Sequence, residues 1–263
     1  MITVPPIPYV PAHGLLQGKS VLITAAAGGG IGIAVARRCL EEGCRALFIS
    51  DIHPRRLDEA VAALRQDHPQ QAVHGKLANV AVEDDVQALV EEAERQLGGV
   101  DVLINNAGLG GSKRVVEMSD EEWHKVLDVT LTGTFRMTRA MLRKMQPRGR
   151  GAIVNNASVL GWRAQKEQAH YAAAKAGVMA LTRCSALEAA EFGVRINAVS
   201  PSIVFHEHLR KSAPQELLQD LASREAFGRG AESWEIANVM VFLASDYSSY
   251  LVGEVIAASS QRA

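Results

Sequence analysis

Cysteine is scarce in this chain: Cys39, Cys44 and Cys184 are the only three in 263 residues. An odd, sparse set without CxxC or metal-like spacing excludes a disulfide framework and a thiolate metal site. It suits a reducing compartment, so a cytoplasmic location is expected. A surplus of either charge is also lacking, with 28 Lys plus Arg against 29 Asp plus Glu and a formal net charge of −1. Binding to a phosphate backbone needs a basic excess, so nucleic acid is not an expected partner. There is no long hydrophobic run. The longest uncharged stretch, from Val21 to Ala36, is interrupted by Gly28, Gly29, Gly30 and Gly32 and falls short of the ~20 apolar residues of a membrane span. Proline is little used, and Pro5, Pro6, Pro8 and Pro11 cluster at the start. They break any signal-peptide apolar region, and residues 1–17 read as an extended, proline-rich arm.

What the chain has is 48% apolar residues in a regular alternation. The β-rich runs SVLIT (20–24), ALFIS (46–50), DVLIN (101–105), AIVNN (152–156) and RINAV (195–199) are each followed by a helix-length segment. Alternating strands and helices imply a parallel sheet. Because the strands are almost continuously apolar, both sheet faces should be covered by helices. The expected fold is therefore α/β, a single Rossmann-type doubly wound parallel sheet of about seven strands, occupying 18–263 as one domain. No proline- or serine-rich linker divides it. Residues 201–230, with Pro214 and an amphipathic run from Glu216 to Ala222, read as a flap over a site at the strand C-termini.

The loop TAAAGGGIG (24–32) follows the first strand and opens the helical pattern IAVARRCLEE. Glycines allow close backbone approach to a pyrophosphate, and the helix N-terminus offers it unpaired N–H groups. The second strand ends at Asp51, 19 residues after Gly32, where a carboxylate would accept hydrogen bonds from the adenosine ribose. Its charge would repel a 2′-phosphate, so NAD(H) is expected over NADP(H). Arg55 and Arg56, a turn further on, would neutralise a phosphate and keep NADP(H) as the alternative. A second alternative is that Asp51 merely caps a helix.

Ser158 lies just after the strand AIVNN, and thirteen residues later a strong helix pattern carries Tyr171 and Lys175 on one face. A free phenol, with a pKa of ~10, is too weak a base at neutral pH. A Lys ammonium ~5 Å away at effective dielectric ~20 favours phenolate by ~3 kcal/mol. Lys175 is thus expected to make Tyr171 more acidic, with desolvation acting the other way. Tyr171 would then exchange a proton with a substrate hydroxyl or carbonyl oxygen held by Ser158, while a nicotinamide exchanges the hydride.

With NNAG at Asn105 to Gly108 and RINAVSPS at 195–202, these features resemble the short-chain dehydrogenase/reductase family over residues 18–258. The resemblance implies cofactor contacts from Thr24, Ala26, Gly28, Gly30, Ile31 and Gly32 in the loop. It adds Asp51 and Ile52, Asn79 and Val80, Asn106, Ala107 and Gly108, Tyr171 and Lys175, and Pro201, Ser202 and Ile203. It also implies a homotetramer or homodimer. Several positions depart from the family pattern. Ala25 and Ala26 stand where one glycine is usual, and Asn79 replaces an aspartate beside the adenine. Thr130 takes the place of a catalytic asparagine that holds a relay water, and would hold that water through its hydroxyl. Ser202 replaces a glycine, His206 a threonine that meets the carboxamide, and the tail ASSQRA (258–263) a glycine-containing ending.

Between Ser158 and Tyr171 lie Trp162, Arg163, Lys166, Gln168 and His170, expected to line a substrate pocket together with His206. His206 and His208 flank Glu207, but i, i+2 residues do not share a helix face and no metal is expected. The motifs TAAAGGGIG, VLDVTLT, NNASVLGWRAQ, HYAAAKAGVMALTRCSA and SSQRA are most similar to dehydrogenases of bacterial steroid-ring degradation. That resemblance implies a secondary alcohol or ketone on a bicyclic hydrindane carboxyl-CoA thioester, a small-molecule partner. The alternatives are a 3-oxoacyl-thioester reductase, which Gln168 and HYAAAKAG also resemble, and a non-catalytic nucleotide-binding sensor or assembly protein.

Overall fold

The computed structural model describes residues 8–205 and 215–260. Seven strands form one sheet: β1 (Ser20–Ile23), β2 (Ala46–Asp51), β3 (Ala72–Leu77), β4 (Val102–Asn105), β5 (Gly151–Asn156), β6 (Val194–Pro201) and β7 (Val255–Ala258). Their order is β3-β2-β1-β4-β5-β6-β7, and every pairing is parallel. Eight α-helices are described: α1 (Ile31–Glu41), α2 (Pro54–Asp67), α3 (Glu83–Leu97), α4 (Asp120–Leu127), α5 (Gly133–Met145), α6 (Ala169–Ala190), α7 (Gln215–Ser223) and α8 (Ser233–Ala244).

The apolar strand runs act as expected of a doubly covered sheet, because successive side chains point to opposite faces. Val21, Ile23, Leu47, Ile49, Val102 and Ile104 pack with α1, α2 and α8 in one core. Their neighbours Leu22, Phe48, Leu103 and Ile153 pack with α3, α5 and α6 in the other. The two strands without a clear sequence signature are the edges. In β3 Val73 alone is buried, and β7 has only four residues, none fully buried.

The order reverses between β1 and β4, which places a crevice at their carboxyl ends. There the NNAG turn is bolted to the glycine loop. The Thr24 hydroxyl accepts from the backbone N–H groups of Asn106 and Ala107, both at 3.0 Å. The Asn106 amide donates back to the carbonyls of Thr24 and Ala25. A Cβ at position 32 would sit 2.6 Å from Asn106 Nδ2, so only glycine lets α1 approach this turn. Ala25 has φ 52°, the left-handed region that glycine tolerates and alanine resists by about 1–2 kcal/mol.

The described part of the arm lies along the C-terminal end of α1. Leu16 is fully buried, and Arg38 donates to the Val10 and Pro11 carbonyls while pairing with Glu42. Glu42 in turn accepts from the N–H groups of His13 and Leu15 at 2.9 Å. The amphipathic run in the 201–230 segment forms α7, which covers Glu216 to Ala222.

Candidate active site

Two polar ladders run from the switch point across the strand ends. Asn105 donates to Asn155 Oδ1 and Thr138 Oγ1, and Asn155 donates to Thr182 Oγ1. Beside them Asn156 donates to Asn106 Oδ1, and its own backbone carbonyl accepts from Lys175 Nζ at 2.5 Å. The sheet therefore positions Lys175 through β5, while α6 positions it relative to Tyr171. Lys175 Nζ lies 5.6 Å from the centre of the Tyr171 ring.

Ser158 follows β5 and starts a single 3-10 turn, its Oγ accepting from Leu160 N. Its side chain is near enough to the Tyr171 phenol to pull that group's pKa down. Ser158, Tyr171 and Lys175 thus meet in one cluster at the carboxyl end of β5.

The electrostatics fix the net direction for the phenol. In the free protein burial pushes the Tyr171 phenol up, and Ser158 offsets this only in part. Burial also pulls Lys175 down to about 8, so its charge is itself expensive to hold in this site. Desolvation sets the direction for both groups, and the resting cluster is a protonated phenol beside a readily titrated amine.

Thr130 sits in a π-helical segment, Asp128–Thr132, between α4 and α5. Such a bulge is common at functional sites. Its hydroxyl accepts from Leu109 N at 2.9 Å and donates to Leu109 O at 3.1 Å. The only hydroxyl proton is therefore committed to the loop after NNAG, which differs from the expected water-holding role and leaves at most an acceptor lone pair for a water.

A cavity of about 480 Å3 opens beside the glycine loop, walled by Asp51, Ile52, Asn79, Val80, Ala107 and Gly108. Lys125, Asp128 and Leu109 also line it, and of these Lys125 and Leu109 fall outside every motif of the sequence. Asp51 accepts from Ala27 N and His53 N, so it holds the glycine loop as well as facing the cavity. The helix-cap reading of Asp51 is thereby reduced to one hydrogen bond within its own turn. Asn79 Oδ1 accepts from Ala81 N. Gly30 caps α1 without a side-chain hydrogen bond, so the first N–H groups of that helix remain open to an anion. A dinucleotide fits these residues: an apolar cavity with a carboxylate wall, an uncapped helix, and a glycine cradle that a Cβ would obstruct.

The expected substrate residues divide. Gln168 donates its amide to Gly111 O at 2.6 Å, and next to it Lys113 N donates to Glu167 O. With the Ser112 hydroxyl on Glu167, these bonds lace the loop after NNAG to the loop after Ser158. Gln168 thus closes one side of the cleft and its amide NH2 is already engaged. Trp162 is half exposed and Arg163 lies at the surface. His170 is buried behind Gly111, where a Cβ would come within 3.0 Å of its ring. Pro201, Ser202 and Ile203 extend from the end of β6 toward the flap. His206, with Glu207 and His208, lies outside the described residues. Among the described residues no group of three or more His, Cys, Asp or Glu side chains could hold a metal ion, and no helix is long and apolar enough to cross a membrane.

A family profile described as enoyl-(acyl carrier protein) reductase matches residues 25–260. The chain is 59% identical over 254 residues to a (5R,7aS)-5-hydroxy-7a-methyl-1-oxo-2,3,5,6,7,7a-hexahydro-1H-indene-carboxyl-CoA reductase of Mycobacterium tuberculosis, covering 96% of each. It is 36% identical to a 3-oxoacyl-[acyl-carrier-protein] reductase of Thermotoga maritima, over 92% of this chain and 96% of that one. A crystal structure of a short chain dehydrogenase from Mycobacterium smegmatis superimposes with a TM-score of 0.86 at 55% identity, covering 97% of both chains. NAD+-bound xylitol dehydrogenase does so at 0.88 and 29% identity, covering 93% of this chain and 99% of that one. The chain belongs to the short-chain dehydrogenase/reductase family and is an oxidoreductase that uses a nicotinamide cofactor.

Proposed function

We propose that this enzyme interconverts a secondary alcohol and a ketone on a cyclic, hydrindane-type carboxyl-CoA thioester, with NAD(H) as its cofactor. The observation that carries the chemistry is Lys175, anchored on the Asn156 carbonyl and 5.6 Å from the Tyr171 ring centre, with Ser158 following the same strand, at the strand ends that also hold the glycine loop. The substrate class rests on the 59% identity to the mycobacterial reductase over nearly the whole chain. The more distant 3-oxoacyl reductase, at 36%, supports the alternative less well.

The bound nicotinamide supplies hydride transfer. Ser158 donates a hydrogen bond to the substrate oxygen and orients it toward the phenol. Tyr171, kept protonated by burial, gives its proton to that oxygen in the reductive direction and recovers it in the oxidative one. Lys175, fixed by the Asn156 carbonyl, would hold the ribose hydroxyls of a bound cofactor and steady the phenolate as it forms. Asp51 would hold the adenosine ribose, and its charge disfavours a 2′-phosphate. Arg55, which could have neutralised one, is exposed and pairs with Glu59. Thr130 holds the Leu109 turn against the cavity. We place the enzyme in the cytoplasm as a homotetramer or homodimer of one-domain subunits, on the strength of its family.

The deciding experiment compares kcat/KM for oxo-hydrindane carboxyl-CoA thioesters and short 3-oxoacyl thioesters, each with NADH and NADPH. The hydrindane substrate with NADH should lead by at least about tenfold, a difference of ~1.4 kcal/mol in transition-state binding. A lead for the acyl chain would overturn the substrate class, and a lead for NADPH the cofactor.

A further inference from the structure

Two departures from the family pattern, Ser202 after β6 and the serine-rich tail, meet on one buried carboxylate. Glu225 follows α7 and is 2% exposed. Its Oε2 accepts from Ser202 Oγ at 3.1 Å, Ser260 Oγ at 2.9 Å and Ser260 N at 3.2 Å. The backbone reinforces the junction, since Ala226 N donates to Ser260 O and Ser202 N to Ala258 O. Three segments remote in sequence are thus joined by the oxygen of a single side chain.

The junction lies just past the carboxyl end of β6, the strand that pairs with β5 where the chain runs into Ser158. A dinucleotide with its adenosine beside Asp51 and its pyrophosphate at α1 must direct its other end over the strand ends of β4, β5 and β6, toward Ser158. The first backbone past β6 on that route is Ser202–Ile203. The same segment continues to Phe205, whose N–H donates to Ala231 O while Ala231 N donates to Ile203 O, which pins the stretch to the chain ahead of α8.

We propose that Glu225 is a positioning residue for the nicotinamide half of the cofactor. Through Ser202 it fixes the backbone that walls that half, and through Ser260 it makes the wall depend on the C-terminal tail. The inference rests on the reading of the cleft as a nicotinamide dinucleotide site.

The test measures Kd for NADH and for ADP-ribose, which lacks the nicotinamide, in the wild type and in E225A, E225Q, S202A, S260A and S202A/E225A. E225A and S202A should each weaken NADH by about tenfold and ADP-ribose by less than twofold. E225Q, whose amide oxygen can accept the same hydroxyls, should recover to within about threefold of wild type. S260A should show the same selective loss, and the double variant should bind no worse than the weaker single one. If Glu225 variants fail to fold, S202A and S260A keep the carboxylate and carry the test. Parallel losses for both ligands, or an unchanged ratio, would overturn the role of Glu225. Failure of the wild type to bind NADH would instead overturn the cofactor reading, and this proposal with it.

Discussion

The two ends of the cleft are built differently. Below Asp51 the walls are apolar side chains and backbone, and the polar side chains there bond to backbone N–H groups of the cradle itself, those of Ala27, His53, Ala81 and Leu109. Around Tyr171 polar side chains tie one loop to another: Gln168 to Gly111, Ser112 to Glu167, Glu225 to Ser202 and Ser260. One end is a preformed local cradle. The other is assembled from loops that hold one another, as suits a site whose ligand differs among relatives while the dinucleotide does not.

The sharpest way to break this comparison is Y171F, which removes only the hydroxyl. Turnover should fall roughly 10²–10⁴-fold with NADH affinity nearly unchanged. Preserved turnover would take the phenol out of the reaction. The same cluster sets the pH dependence. With Tyr171 raised and Lys175 near 8, ketone reduction should be flat through neutrality and decline as the pH climbs past about 8 and the amine loses its charge. Because the lysine's pKa is lowered on folding, its burial opposes folding at neutral pH, and this penalty fades as pH rises from about 8 toward 10.5. K175M should therefore raise Tm at pH 7 by a few degrees, the lost bond to the Asn156 carbonyl limiting the gain, while abolishing most activity.

On the adenosine side, D51S should cut the ratio of NADH to NADPH efficiency by roughly ten- to a hundredfold, because a like charge is removed from the ribose edge. An unchanged ratio would assign selectivity elsewhere. T130V keeps the shape but removes both bonds to Leu109. It should lower Tm by several degrees and weaken NADH about tenfold, as the turn lining the cavity comes loose. An undisturbed variant would return Thr130 to a purely space-filling part. Smallest should be Q168A, raising KM for the thioester about threefold while leaving cofactor affinity alone, the mark of a residue on the loop-built end only.

What could be read from the sequence follows the same division. The glycine loop, Asp51, NNAG and the Tyr171/Lys175 helix each announce themselves by local spacing, and the structure gathers them at one set of strand ends. Buried strands were legible through continuous apolar runs, whereas β3 was hidden by its edge position, where Val73 alone is buried. Lys125 and Glu225 were invisible because their positions depend on packing between distant segments. The net direction of the Tyr171 shift stayed open for a related reason. Spacing along a helix gives the separation of two charges but not the solvent withdrawn from both.

The clasp between α1 and the preceding segment carries one more consequence. Although burial raises it, the Glu42 carboxyl is held below its ordinary value by the N–H groups of Leu15 and His13 and by Arg38. Its stabilisation is complete above about pH 4.5 and drains away under stronger acid. Acidification to below about pH 4.5 should thus unfasten residues 8–15 before the sheet melts, exposing that stretch to proteases first. Trimming the chain back past Pro11 would leave the Arg38 guanidinium enclosed without the carbonyls that now receive it.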